Sequence, residues 1–376
     1  MVQSIRIGVV AGEASGDILG GHVLAEIKQR IPDCIFEGIG GPQMQAEGLI
    51  SWFDMERLSV MGLIDPLKRL PELLSIRKKL KTRWLENPPD LFLGIDAPDF
   101  NLNLESTLRK GGIPTAHLVS PTIWAWRSGR LKTIENAAEA VLCLFPFEPD
   151  AYRGSKVEAH FVGHPMAQVL EALPERPAIR GKLALDQGAS VVALLPGSRA
   201  REIQMLLPIY LEALASFEND YQFVIPASNE SNRALIENVV ANRGSRAKVI
   251  AGNSRELLKV AEATVVTSGT ATFEAALIGC PMIIAYRMSP FSWFVISRLI
   301  KTPFAGLPNI LMQKAVVPEL IQDKLTVDSL RVAFKQLLSE DALTQQRLCF
   351  DQIRGQFSLD FGSACADVLL RLASKK

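Results

Sequence analysis

Short runs that are apolar at nearly every position recur along this chain, separated by longer amphipathic stretches, and that alternation most constrains the fold. A strand buried on both faces needs helices above and below it, which points to parallel α/β sheets. The runs Ile5 to Ala11, Phe36 to Ile39, Leu91 to Ile95, Thr115 to Val119, Ala140 to Leu144 and Ala159 to Val162 predict one sheet. The pattern restarts at Val191 to Leu195 and continues through Gln222 to Pro226, Ala247 to Ile250, Ala263 to Thr267 and Met282 to Ala285. Two α/β sheets imply a cleft where strand ends and helix amino termini converge on a ligand. Leu173 to Ala178, with Pro174 and Pro177, reads as part of a connection, giving domains 1–170 and 171–350 and a helical tail 351–376.

Charge and cysteine usage narrow the function. Against 41 Lys+Arg stand 40 Asp+Glu, a net charge of +1 that excludes nucleic-acid tethering by bulk charge while allowing a local basic patch. No stretch supplies the roughly 20 apolar residues of a membrane span, and the amino terminus lacks the pattern of a secretory signal. Cys34, Cys143, Cys280, Cys349 and Cys365 form no CxxC pair, and with only four histidines the expectation is a reduced cytoplasmic protein without structural zinc.

Several motifs sit where strands should end. GVVAGEASGDILGG places Gly12 and Gly16 for close backbone approach, with Ser15 and Asp17 either capping a helix or meeting a polar ligand group. In LFLGIDAPDFN, Asp96 and Asp99 follow a strand, and a positioned, desolvated carboxylate can accept a proton as a glycosidic bond forms. The alternative is that both carboxylates satisfy loop amides. SPTIWAWR offers Ser120, Trp124, Trp126 and Arg127, with rings to stack on sugars and a guanidinium for phosphate, or tryptophans that serve only as core. His164 in FVGHPM can orient a hydroxyl or phosphate, although a lone histidine is often structural.

The second half carries the sharper anion-site pattern. In LLPGSRAREI, Gly197, Ser198 and Arg199 precede a helix; in TSGTATFEAAL, Ser268, Gly269 and Thr270 precede another that carries Glu274. Amides, hydroxyls and a guanidinium suit a diphosphate, Glu274 suits ribose hydroxyls, and two such motifs favour a nucleotide over free phosphate. Asn309 in AGLPNILM is a weaker candidate for a base or sugar contact, and Arg201, Glu202 and Arg287 read as salt-bridge formers.

One basic segment bears on partners. Between Pro66 and Arg83, Lys68, Arg69, Arg77, Lys78, Lys79, Lys81 and Arg83 flank an apolar side formed by Leu73, Ile76, Leu80 and Trp84. Such a helix suits an anionic leaflet with Trp84 at the interface and Pro71 in the first turn; the rival packs the apolar side into a core or a second subunit. PFSWFVISRLIK extends the apolar surface and is too short to span a bilayer.

Taken in order, AGEASGDILG, GGPQMQAEG, VMGLIDPL, GIDAPDFN, SPTIWAWR, PFE, GHPM, LLPGSR, SGTATFEAAL, YRMSP and LPNIL resemble the lipid-A-disaccharide synthase family along nearly the whole chain. The resemblance implies an inverting GT-B glycosyltransferase, with two Rossmann-like domains facing a central cleft. It implies transfer of 2,3-diacylglucosamine from its UDP donor to 2,3-diacylglucosamine 1-phosphate, giving a β-1,6-linked disaccharide phosphate and UDP. On this pattern Asp96 matches the general base, and Arg199, Glu274 and Asn309 fall in nucleotide-site motifs. Acceptor and membrane contacts belong to the first domain, the UDP-sugar to the second, and the tail crosses back and can be exchanged in a homodimer. The protein is then cytoplasmic and peripheral to the inner membrane. No cofactor is expected, and Asp96-Ala97-Pro98-Asp99 is not a DxD metal motif, so the reaction is expected to be metal-independent. A UDP-sugar epimerase and a nucleotide-regulated membrane adaptor are the competing functions.

Overall fold

A computed structural model describes residues 5–58, 65–123, 128–289, 293, 297, 298 and 302–374, with only the backbone of 65–68 and 128. The chain divides into two units, Met1–Pro165 with Ser358–Lys376, and Met166–Phe357.

The first unit runs β1 (Arg6–Ala11), α1 (Ala14–Arg30), β2 (Ile35–Ile39), α2 (Pro42–Ala46), β3 (Ile50–Ser51), α3 (Asp65–Glu86), β4 (Leu91–Ile95), α4 (Pro98–Lys110), β5 (Thr115–Leu118), α5 (Leu131–Ala137), β6 (Ala140–Cys143) and β7 (Glu158–Phe161). All strands are parallel, in the order β3-β2-β1-β4-β5-β6-β7. Alternate residues serve opposite faces, as the pleat demands. Ile7, Val9, Leu91, Leu93, Ala116 and Leu118 meet α1 on one face. Val10 and Phe92 meet α3 and α4 on the other. The last helix of the chain, Phe361–Ala373, belongs to this unit: Phe361, Cys365, Leu369 and Leu372 complete the α1 face.

The second unit runs α6 (Met166–Glu171), α7 (Arg176–Lys182), β8 (Val191–Leu195), α8 (Ala200–Leu214), β9 (Gln222–Ala227), α9 (Glu230–Asn242), β10 (Lys248–Ala251), α10 (Ser254–Val260), β11 (Ala263–Val266), α11 (Thr270–Ile278), β12 (Met282–Tyr286), α12 (Leu307–Met312), β13 (Glu319–Ile321), α13 (Val327–Leu337) and α14 (Glu340–Gly355). Its parallel sheet has the order β10-β9-β8-β11-β12-β13. Pro177 stands in the first turn of α7, inside this unit rather than in an extended connection.

Three expectations change. Trp84 is not an interfacial residue: at 0% exposure it packs on Phe92, with ring centroids 5.0 Å apart, and its indole N–H donates to Glu37 Oε1 at 3.0 Å. Ile76 and Leu80 are buried beside it, so this side of α3 belongs to the core, as the rival reading held. Pro71 lies inside α3 rather than in its first turn, because the helix begins at Asp65. Asp17 does not cap α1; its buried carboxylate accepts hydrogen bonds from Gly41, Gln43 and Met44 N–H at the start of α2. The short edge strands β3 and β13 have mixed sequences without a continuous apolar run, which explains their absence from the sequence reading.

Replacing Trp84 by Ala is expected to lower the stability of the first unit by about 3–5 kcal/mol, because it removes a fully buried ring and leaves Glu37 without one donor. Urea unfolding of the purified variant checks this.

Candidate active site

Each sheet reverses its strand order once, and ligand sites in such sheets form beyond the carboxyl ends of the strands at that reversal. In the first unit the reversal lies between β1 and β4. Glu13, just after β1, and Asp96 to Phe100, just after β4, line one end of a cavity of about 450 Å³. Its other wall is apolar, with Leu58, Leu70, Leu73 and Leu74, and Arg77 adds a cation whose guanidinium lies 5.9 Å from the Phe100 ring centroid. The sequence reading did not place Leu58, Leu70, Leu74 or Phe100 at a site. The signal was present in α3, where Leu70 and Leu74 lie one turn apart beside the core-facing residues.

The backbone that presents Asp96 is strained. Asp96 and Ala97 have φ of 50° and 43°, and neighbouring Val119 has φ of 77°, a left-handed conformation that a β-branched residue seldom adopts. Asp96 N–H donates to Leu118 O at 2.9 Å, and Pro98 then starts α4 as its first residue. The turn therefore lifts the Asp96 carboxylate out of the strand and into the groove. Asp99 also lines the groove but is paired with Arg130 at 2.6 Å.

In the second unit the reversal lies between β8 and β11. A cavity of about 390 Å³ is lined there by Gly197, Ser198 and Arg199 after β8, and by Thr267, Ser268, Gly269 and Thr270 after β11. The two motifs read from sequence thus meet at one place. Gly197 has φ of 109°, and a Cβ there would collide with the Glu202 side chain, so glycine is needed for α8 to start where it does. Arg199 Nη1 is 2.9 Å from Glu202 Oε1, yet the Arg199 side chain stays 80% exposed. Helices α8 and α11 begin at the residues that line this cavity, and a helix amino terminus favours an anion. Ser228, Gly252 and Ser254 complete the lining from the ends of β9 and β10, positions the motifs did not flag.

Other expected residues lie elsewhere. Asn309 is 1% exposed, and its amide is fully used: Nδ2 donates to Val317 O and Glu319 Oε1, and Oδ1 accepts from Val316 and Val317 N–H. It organises its own loop instead of facing a ligand. Glu274 accepts from Arg255 Nε and Nη2 at 3.2 and 3.0 Å, and it sits one turn behind the residues that line the cavity. Ser15 is exposed in the first turn of α1, and His164 lies against Phe145 with ring centroids 6.1 Å apart; neither lines the groove beside Asp96. Ser120 is buried, with its hydroxyl 2.9 Å from the Tyr152 hydroxyl. Arg287 donates to Gln322 O at 3.3 Å. Trp124, Trp126, Arg127 and most of PFSWFVISRLIK lie outside the described residues.

A family model described as lipid-A-disaccharide synthetase matches residues 7–357. A lipid-A-disaccharide synthase of Saccharophagus degradans is 45% identical over 379 residues, covering 99% of this chain and 97% of the relative. One from Azotobacter vinelandii is 44% identical and covers 100% of both chains. Among solved structures, the calicheamicin glycosyltransferase CalG4 matches with a TM-score of 0.61 at 14% identity, covering 99% of this chain and 98% of that one. A putative UDP-N-acetylglucosamine 2-epimerase from Listeria monocytogenes matches at 0.64 and 13%, covering 99% and 96%. At such identities the structures speak for the shared GT-B fold and not for a reaction.

Arg199→Ala is expected to weaken binding of a nucleoside diphosphate by about 10-fold or more, the loss of a charge-assisted hydrogen bond. Calorimetric titration with UDP checks it, and the unfolding midpoint should not move because the guanidinium is exposed.

Proposed function

Since the chain belongs to the lipid-A-disaccharide synthase family, we propose that it transfers 2,3-diacylglucosamine from UDP to 2,3-diacylglucosamine 1-phosphate, with Asp96 as the general base. The observation that carries this reading is the position of Asp96 at the mouth of an apolar groove that also holds a cation. An acylated sugar phosphate needs that combination: leucines for an acyl chain, Arg77 for the phosphate, and a carboxylate beside the sugar. An epimerase acts on the nucleotide sugar alone and has no use for such a groove.

In the reaction the acceptor's 6-hydroxyl oxygen attacks the anomeric carbon while Asp96 takes its proton. The bond from that carbon to the diphosphate oxygen breaks, its electron pair leaves with UDP, and the configuration inverts. Arg199, Ser198, Ser268 and the helix-terminal amides around them meet the charge that develops on the diphosphate. Leu58, Leu73 and Phe100 keep water from the attacking hydroxyl, which strengthens each polar contact made there.

The surface of α3 supports a peripheral association with the cytoplasmic leaflet of the inner membrane. Leu70 and Leu74 are 47% and 44% exposed, and the exposed Lys78 and Lys81 follow Leu74 at helical spacing on the same side of α3. On another side of the helix Arg83 lies 3.9 Å from the Trp52 ring centroid, and Lys79 lies 5.9 Å from that of Phe53. Exposed leucines between cations suit entry into an anionic leaflet, where the acylated substrates reside. No described helix is long and apolar enough to cross a membrane.

Supplying both pure lipid substrates and identifying UDP and the disaccharide phosphate by mass spectrometry tests the function. Donor isomerised without acceptor would sink the reading. Asp96→Asn is expected to reduce kcat by about 10²- to 10⁴-fold, the usual worth of a general base. Arg77→Ala is expected to raise KM for the phosphorylated acceptor and to leave the donor KM unchanged.

A further inference from the structure

Beneath Asp96 lies a polar cluster that the reaction as described does not use. On the sheet face covered by α3 and α4, Gly94 of β4 pairs in register with His117 of β5. Glu105 of α4 reaches the same spot: its Oε1 lies 2.7 Å from His117 Nδ1, and both side chains are 0% exposed. A Cβ on Gly94 would run into the Glu105 carboxyl, so the central strand carries glycine where the pair needs room. Asn101, one turn before Glu105, donates to Val10 O, Ile95 O and Asp96 O at 3.3, 3.2 and 2.8 Å. Asn101, on the helix of Glu105, thus holds the Asp96 carbonyl, while Leu118, next to His117, accepts the Asp96 N–H at 2.9 Å, so the pair ties together the two elements that hold Asp96.

Stability alone does not account for this arrangement. Asn101 Oδ1, Glu105 Oε2 and His117 Nε2 are buried without a hydrogen-bond partner. Each such atom costs about 1–3 kcal/mol, and apolar side chains of similar volume often replace a buried ion pair without loss. A cluster this costly, placed under a strained turn at the site, points to a role in the chemistry.

We propose that Glu105 and His117 form a positioning pair for Asp96, joining α4 to β5 and so fixing the two elements whose Asn101 and Leu118 hold its left-handed turn. The proposal rests on Asp96 being the base. Burial pushes the proton affinity of His117 down, but the charge and hydrogen bond of Glu105, joined by the charge of Asp96, outweigh it and the net direction is upward. Glu105 from α4 and Asp96 from the end of β4 are the charged groups acting on the ring, and the paired residue on its other side, Val141 of β6, is apolar.

The chain has four histidines, so the His117 signal in a side-chain nitrogen spectrum is identified by its loss in His117→Gln. In the wild type it is expected to titrate above the ordinary histidine range, and in Asp96→Asn to titrate at lower pH. Glu105→Gln keeps a hydrogen-bond partner for Nδ1 but removes the charge. It is expected to lower kcat by about 10- to 100-fold, as a misplaced reacting group does, with both KM values within about twofold and the melting temperature near wild type. Wild-type kcat in Glu105→Gln, or a His117 titration unmoved by Asp96→Asn, overturns the proposal; the second measurement stands even where Glu105→Gln does not fold. Full activity in Asp96→Asn overturns the base assignment, whereas an inactive Asp96→Asn beside an unaffected Glu105→Gln removes only the pair.

Discussion

The amide of Asn101 donates to three carbonyls at the ends of β1 and β4, and the turn that follows β4 depends on it. Asp96 and Ala97 both adopt left-handed backbone conformations, which cost of order 1–3 kcal/mol each for residues with a side chain. Aspartate tolerates this region better than most residues, but Ala97 has no such preference and neither residue is glycine. The conformation persists because Asn101 binds the Asp96 carbonyl from α4 while Leu118 accepts the Asp96 N–H from β5. Released from these bonds, Asp96 would continue the strand, and its carboxylate would no longer enter the groove.

Strand order decides where each unit is able to bind. Both sheets grow outward in two directions from a central pair, β1 with β4 and β8 with β11, and the helices on either side of that pair diverge and leave an opening. The same geometry produces opposite chemistry in the two units. Around β1 and β4 the opening is walled by leucines from α3 and carries a carboxylate. Around β8 and β11 it is rimmed by hydroxyls, glycine turns and helix amino termini. One opening thus joins apolar walls to a carboxylate while the other gathers groups that favour an anion, and only the residues placed at the strand ends distinguish them.

Most strands were legible because parallel strands buried on both faces read as unbroken apolar runs, and Leu91 to Ile95 is a clear case. The motifs after β8 and β11 were legible as a pair: glycine, serine and threonine between a strand and a helix form ordinary capped turns as well as anion sites, but two such motifs in one domain are explained less well by capping alone. What stayed hidden depends on partners distant in sequence. Trp84 and its helical spacing announce an apolar face, but Glu37, 47 residues away, decides that the face is core. Asn309 looked like a ligand contact because its partner Glu319 lies on a short edge strand that no apolar run reveals. The Glu105–His117 pair was invisible because Glu105 sits at an ordinary helical position and His117 within a short strand.

Helix α3 shows how far one amphipathic pattern can be subdivided. Ile76, Leu80 and Trp84 form one stripe and are buried in the core. Leu70, Leu73, Leu74 and Arg77 occupy the adjoining sector and line the groove beside Asp96. Lys78, Lys79 and Arg83 take a third, where they meet Trp52 and Phe53. Sectors at helical spacing are rigidly linked, so the depth at which Trp84 anchors the helix also sets where Leu74 and Arg77 stand relative to the carboxylate. Packing in the core and recognition in the groove are consequently not separate properties of this helix: a change that reseats Trp84 displaces the leucines and the arginine together.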